Sequence, residues 1–428
     1  MSITQNSKIR RITDSTLVVG ADIAKKVHVA RACDVRGVEL GKPLIFDNTR
    51  HGFVRLITWM QSLMVDHSCD SVVFGVEPTG HYWMNLGQFL RHEGIHVVLV
   101  NPLHVKKTKE LEDNSPTKND RKDARVIALL VKDGRYSEPN IPEDIYADLR
   151  VGMNERDRLS EDLKRVQGRI HNWLDRFFPE FTEVFKDWEG KSALVCLHQF
   201  PCPTDIQEKT TSEIVQAWRD GGISRGVGKS KANLLKGKAE ESIGLTEGIQ
   251  MAHKELEILL RQYDLYQEQL DLLMSEIERL VSQIPGTPEM MSIPGVGLVT
   301  VAGFLAEVGD LSGYDNSRQI QKLAGLNLRE NSSGKHKGQT KISRRGRPKL
   351  RSLLFRCVIP LLAKNPEFQV LHRYYTQRTQ NPLKKMQSAI ALSCRLIRVL
   401  FALGRKQVPY DPAKVLGPVH MERLRNAA

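Results

Sequence analysis

The order of apolar runs between Thr16 and Val131 constrains this chain more than any other feature. Leu17-Val-Val-Gly-Ala-Asp-Ile23 is a short apolar run, Val27–Cys33 a second and Val38–Phe46 a third. Their connections are short, and Asp34-Val-Arg-Gly37 reads as a turn, which predicts an antiparallel meander. A helical stretch follows from about Thr49 to Met64, then an apolar strand Ser71–Glu77 and a helix near Tyr82–His92. A strand His96–Val100 and a helix from about Asp120 to Val131 complete the region.

Three antiparallel strands followed by strand–helix alternation is the ribonuclease-H-like order, an α/β arrangement. At 428 residues the chain is too long for one ordinary core, and two or three domains are expected. Its charge is uneven. From Pro285 onward there are 24 basic and 8 acidic residues, a net +16, while everything before that point sums to −3. A basic domain on a near-neutral remainder suits a polyanion partner, because each Lys or Arg beside a phosphate releases condensed counterions.

No stretch reaches the roughly 18 uninterrupted apolar residues of a membrane span, and the polar N-terminus has no apolar signal core. The six cysteines lack the paired spacing of a zinc site and are too sparse for a disulfide scaffold. The expectation is therefore a cytoplasmic chain, nucleoid-associated if DNA is the partner, with no membrane contact.

The middle of the chain changes period. Leu256, Leu259, Tyr263, Tyr266, Leu270, Leu273, Ile277, Leu280 and Ile284 alternate in steps of three and four, a heptad seam between charged flanks. Leu159, Leu163, Val166, Ile170, Trp173 and Phe177 show the same alternation. Two such helices can pair with each other as an antiparallel hairpin or with another subunit. The stretch between them, about 179–243, mixes aromatic, Gly and Lys-rich segments and has no clear assignment.

The last third opens with Ser292-Ile-Pro-Gly-Val-Gly-Leu-Val-Thr300, a turn around Gly295 and Gly297 leading into the apolar helix Leu298–Val308. Such a turn suits a helix–hairpin–helix element that holds a phosphate on backbone N–H groups, and equally a plain helix connection. Arg329–Arg351 is strongly basic: nine Lys and Arg face only Glu330. Lys335, Lys337, Lys341, Arg344, Arg345, Arg347, Lys349 and Arg351 are its candidate nucleic-acid contacts. An apolar helix, Leu353–Leu362, follows.

Four carboxylates stand where a ribonuclease-H-like sheet would gather them. Asp22 ends the first strand, Glu77 ends the fourth, and Asp120 and Asp123 open a helix three residues apart, on one face. An acidic group at the end of a buried strand needs compensation, and a divalent cation supplies it. Each Asp alone could equally be a helix or strand cap.

Gly20-Ala-Asp-Ile-Ala-Lys25, Glu77-Pro-Thr-Gly-His-Tyr82, Asn101-Pro102 and Asp120-Arg-Lys-Asp-Ala-Arg125 resemble the RuvC-like half of the bridge-RNA-guided insertion-sequence transposases, relatives of the pilin-inverting recombinase. Ile293-Pro-Gly-Val-Gly297, Leu323-Ala-Gly-Leu326, Ser333-Gly334 and the Ile342–Arg351 stretch resemble their C-terminal half. The resemblance implies an α/β RuvC-like catalytic domain (1–140), a coiled-coil helical region (141–285) and a mostly helical transposase domain (286–428). It also implies Mg²⁺ on Asp22, Glu77, Asp120 and Asp123, and Ser333 as a nucleophile that joins covalently to DNA. Double-stranded donor and target DNA, a guide RNA and a homo-oligomer (dimer or tetramer) are the implied partners. The alternative is a hydrolytic RuvC-type nuclease, with water as nucleophile and Ser333 idle.

Two weaker patterns compete. Gly226-Val-Gly-Lys-Ser230 is similar to a phosphate loop, but Ile223 stands where the first glycine belongs and no strand is expected before it. Arg345-Gly-Arg-Pro348 could enter a minor groove, and Pro348 equally suits the first turn of the next helix.

Overall fold

The computed structural model describes residues 5–112, 120–329, 332–333, 336–338 and 340–417. Asp120, Ser333 and Lys337 enter by backbone position only, and Lys335 lies outside the described residues. The chain divides into two compact units, Met1–Ile141 and Pro142–Ala428.

The first unit is a mixed α/β sheet domain. After a short α1 (Gln5–Ile9) come β1 (Thr16–Asp22), β2 (Val27–Cys33), β3 (Glu39–Asp47), α2 (Arg50–Asp66), β4 (Ser71–Val76), α3 (Trp83–His92) and β5 (His96–Val100). Then follow α4 (Pro102–Glu112), α5 (Asp120–Lys132) and β6 (Tyr136–Ser137). The sheet order is β3-β2-β1-β4-β5-β6. β2 pairs antiparallel with both β1 and β3, β1–β4 and β4–β5 are parallel, and β6 returns antiparallel on β5. The sequence pattern missed α4 and β6.

Alternation along the strands sorts the two faces. Leu17, Val19, Ala21, Phe74 and Val76 pack against Phe53, Leu56 and Met60 of α2 and Leu86 and Leu90 of α3. Val18, Val73 and Val98 pack on the other face against Val126, Ile127 and Val131 of α5. Gly20 and Gly75 lie on that second face, directly opposite each other in the β1–β4 register. A Cβ on Gly20 would come within 2.9 Å of Ala128 Cα and closer still to Ala124 O and Ala128 N; one on Gly75 would strike Val131. The glycine pair is the seat that lets α5 lie directly on the sheet.

The second unit is mostly helical. Its long helices α6 (Asp144–Phe177) and α12 (Ile249–Ser282) enclose α7 (Phe181–Val184), α8 (Lys191–Gln199), α9 (Pro203–Gln207), α10 (Thr211–Asp220) and α11 (Lys229–Glu240). Gly152 lies against Ile277, while Trp173 Nε1 donates to Ala252 O at 2.9 Å and Arg176 forks onto Glu255. α6 and α12 are therefore antiparallel partners within one chain. This settles the pairing and takes the seam away from any second chain; an oligomer is left resting on the resemblance alone. A different row on α12, Met251, Ile258, Leu265 and Leu272, is exposed at steps of seven.

The stretch the pattern could not assign is helical, with a core built around Trp173, Phe178, Phe181, Phe185 and Trp218. Gly228 caps α11, and a helix precedes it where a phosphate loop requires a strand.

A second core gathers α13 (Thr287–Met291), α14 (Leu298–Val308), α15 (Ser317–Leu323), α16 (Pro348–Lys364), α17 (Pro366–Gln377), α18 (Lys385–Lys406) and α19 (Pro412–Leu416). Pro348 occupies the first turn of α16, which starts five residues earlier than its apolar run. α18 is long and apolar enough to cross a membrane, but Leu392, Leu396 and Leu400 are fully buried in this core. Two small ribbons interrupt the helices: β7 (Leu328–Arg329) with β10 (Lys341–Ile342), and β8 (Ser332–Ser333) with β9 (His336–Lys337).

Candidate functional site

β1 and β4 run parallel with Ala21 opposite Val76, so the next residues, Asp22 and Glu77, leave the sheet side by side. Each lies two residues beyond a seat glycine and so faces α5. Thr79 of the Glu-Pro-Thr-Gly turn donates its hydroxyl to Ile23 O at 3.4 Å, tying the two strand ends together. On α5, Asp123 directly precedes Ala124, whose carbonyl sits over Gly20, and Asp123 is 7% exposed. The backbone of Asp120 opens the same helix.

Burial pushes the Glu77 carboxyl above the usual carboxylate range; Asp22 pushes it further, Lys109 opposes this and Asp123 adds to it. These causes place Asp22, Glu77 and Asp123 in one electrostatic cluster. Lys109, on α4, forms an ion pair with Asp123. Asn101 accepts the Leu103 N–H at 2.9 Å and caps that helix, giving the Asn-Pro pair a structural part. Sequence reasoning missed Lys109 because α4 itself was not legible. Hard oxygen donors held together against mutual repulsion suit a divalent cation.

In the second unit, Ser333 lies in β8 with His336 opposite it in register. The Leu-Ala-Gly-Leu segment docks the basic stretch through the backbone. Arg344 N donates to Gly325 O at 3.0 Å, and Arg347 N donates to Leu323 O at 2.7 Å. The sequence-selected cations then separate. Lys341, Arg344 and Arg345 are exposed. Arg351 donates to Ala324 O at 3.0 Å, Arg347 pairs with Glu307 at 3.2 Å, and Lys349 donates to Asn154 at 2.7 Å. Arg347 and Arg351 are half-buried in these contacts, while Lys349 stays exposed. Gly295 turns with φ +91° against Leu361, and Gly297 caps α14 with open space beside its Cα.

A groove of about 790 Å³ runs past this turn, lined by Gly295, Thr300, Lys349 and Arg356 together with Arg156, Arg158 and Lys164 of α6. The α6 cations gave no sequence signal, because along that helix they alternate with acids, of which Asp157 and Glu161 line the same groove. Only folding brings them beside the glycine turn.

Comparison with known proteins places both halves. A DEDD transposase model matches residues 19–179, and a model for the transposase family IS116/IS110/IS902 matches residues 288–373. Asp22, Glu77, Asp120 and Asp123 fall in the first match and Ser333 in the second. The "Insertion element IS116 uncharacterized 44.8 kDa protein" of Streptomyces clavuligerus is 25% identical over 92% of this chain and 96% of its own length. The "Pilin gene-inverting protein" of Moraxella lacunata is 24% identical over 93% of this chain and 98% of its own. The "Transposase for insertion sequence element IS1111A" of Coxiella burnetii is 43% identical over 15% of this chain and 18% of its own.

Proposed function

The chain belongs to the IS110/IS116/IS902 transposase family, a family of DNA recombinases, and from that premise we propose a Mg²⁺-dependent strand transfer with a serine nucleophile. Asp22, Glu77, Asp120 and Asp123 would hold the metal, whose part is to neutralise charge that develops on the transferring phosphoryl group. Ser333 Oγ attacks the phosphorus and forms an Oγ–P bond, its proton passing to a neighbouring base. The bond from phosphorus to the leaving deoxyribose oxygen breaks, and that oxygen is protonated. Attack by a new strand's hydroxyl on the phosphoserine reverses these bonds and frees Ser333. Lys341, Arg344 and Arg345 neutralise DNA phosphates around the loop. A guide RNA would choose the targets, and the groove of the second unit, whose cations outnumber Asp157, Glu161 and Glu307, would offer it a surface. The RuvC-like reading of the first unit is consistent with its strand order.

The observation that carries the proposal is the gathering of Asp22, Glu77 and Asp123 on one face, with the Glu77 carboxyl pushed above the usual carboxylate range by burial first and by Asp22 next. The test is a denaturant-resistant protein–DNA adduct on a labelled cleavage substrate with Mg²⁺. Wild-type chain and Ser332→Ala should form it, and Ser333→Ala should not. Cleavage without any adduct would instead establish the hydrolytic reading, with water as nucleophile.

A further inference from the structure

Away from the carboxylate cluster and the basic loop, Cys202, Asp205 and His253 bring a sulfur, a carboxylate oxygen and an imidazole nitrogen within 4.8 Å of one another. The geometry points to a transition-metal site, suited to Zn²⁺, that fastens the α8–α9 corner to the start of α12.

Cys202 is the N-cap of α9, and its backbone N–H donates to Asp205 Oδ2 at 2.8 Å. That capping box engages both the carboxylate and the Cys202 side chain. His253, one turn into α12, holds Nε2 3.0 Å from the same Oδ2. The nitrogen is nevertheless buried and misses hydrogen-bond geometry with every neighbour. A thiol, a carboxylate and an imidazole nitrogen gathered this closely form a donor set for a transition metal.

With bonds of about 2.0–2.3 Å, the ligand atoms of a tetrahedral zinc site lie roughly 3.3–3.8 Å apart. The observed spread needs only a small closure of side chains on two helices. A cavity of about 250 Å³ opens beside the group, lined by Asp205, His253, His198 and Glu257. It leaves room for a water as fourth ligand.

The donor chemistry selects the ion. Thiolate and imidazole favour borderline-soft zinc over Mg²⁺, which takes oxygen. The ion must also displace the thiol proton. The carboxylate cluster of the first unit, all oxygen, is its opposite. The two sites would therefore sort two metals.

The experiment uses the full chain, stripped with chelator and titrated with Co²⁺ as spectroscopic probe, then with Zn²⁺ against a colorimetric chelator. The expected result is a thiolate-to-cobalt charge-transfer band that saturates at one equivalent per chain. Cys202→Ser should abolish that band, and His253→Gln should weaken zinc binding by about a hundredfold or more. Asp22→Ala should leave the charge-transfer band unchanged. The far-ultraviolet circular dichroism of His253→Gln, whose side chain is 37% exposed, should match wild type and exclude misfolding as the cause. Absence of the band in wild type, or equal zinc binding by wild type and His253→Gln, overturns the site.

Discussion

Replacing Gly20 by Ala tests whether the seat of α5 sets both stability and catalysis. The added methyl would meet Ala124 O, Ala128 N and Ala128 Cα, all backbone, so no rotamer change can relieve it. Restoring ordinary contact near 3.5 Å requires α5 to withdraw by about 1 Å. Overpacking of this kind costs about 1–3 kcal/mol, and the rigid contact argues for the upper end. In a unit of this size that lowers the melting temperature by about 4–12 °C. Asp123 moves with Ala124, and a misplacement near 1 Å at a reacting site lowers rate by about a hundredfold. Thermal unfolding followed by circular dichroism, with Mg²⁺-dependent cleavage measured well below the melting point, separates the two effects. Gly168→Ala is the control. It is an exposed position inside α6 with nothing within 4 Å of its Cβ, and it should gain about 0.5–1 kcal/mol. A Gly20→Ala chain that melts and cleaves like wild type would refute the seat.

Single replacement of Asp22, Glu77, Asp120 or Asp123 by Ala should abolish cleavage and leave nucleic-acid binding largely intact in gel-shift assays; turnover in two of them would remove the metal assignment. Because burial, then Asp22, raise the Glu77 pKa, the folded chain binds that proton more tightly than the unfolded one. The ionised carboxyl therefore weakens the metal-free fold above its folded pKa, and the penalty fades as pH falls through that value. Glu77→Gln should accordingly melt above wild type in chelator at neutral pH, with the gap closing in acid; a constant gap would contradict this. Neutralising Lys335, Lys337, Arg344 and Arg345 together should flatten the slope of log affinity against log salt by about three to four units. Arg351→Ala should lower stability more than that slope, because its guanidinium holds Ala324 O. Mixing Asp22→Ala with Ser333→Ala chains should restore some recombination if one protomer's carboxylates serve another's serine; mixed oligomers without activity would exclude a shared site.

The strands of the first unit were legible because each is a short apolar run cut by a turn. Asp22 and Glu77 stood out because a charge at the end of such a run is anomalous. The helices α14 and α16 and the paired seams of α6 and α12 could be read for a similar reason: periodicity is a local property. Local pattern does not say which surfaces meet. That α6 and α12 close on each other, rather than on another chain, depends on contacts about a hundred residues apart, such as Trp173 with Ala252 at one end and Gly152 with Ile277 at the other. Arg347 and Arg351 looked like Arg344 and Arg345 in sequence, and only their neighbours Glu307 and Ala324 turn them inward. Lys109 reaches Asp123 from a helix whose weak apolar pattern gave no signal. Cys202 and His253 carry no metal-site spacing at all, since 51 positions separate them, and the fold alone brings sulfur and nitrogen together. Sequence determined which groups are chemically able, because composition and period are written residue by residue. Tertiary structure decided which of them face one another, because burial and charge act through space.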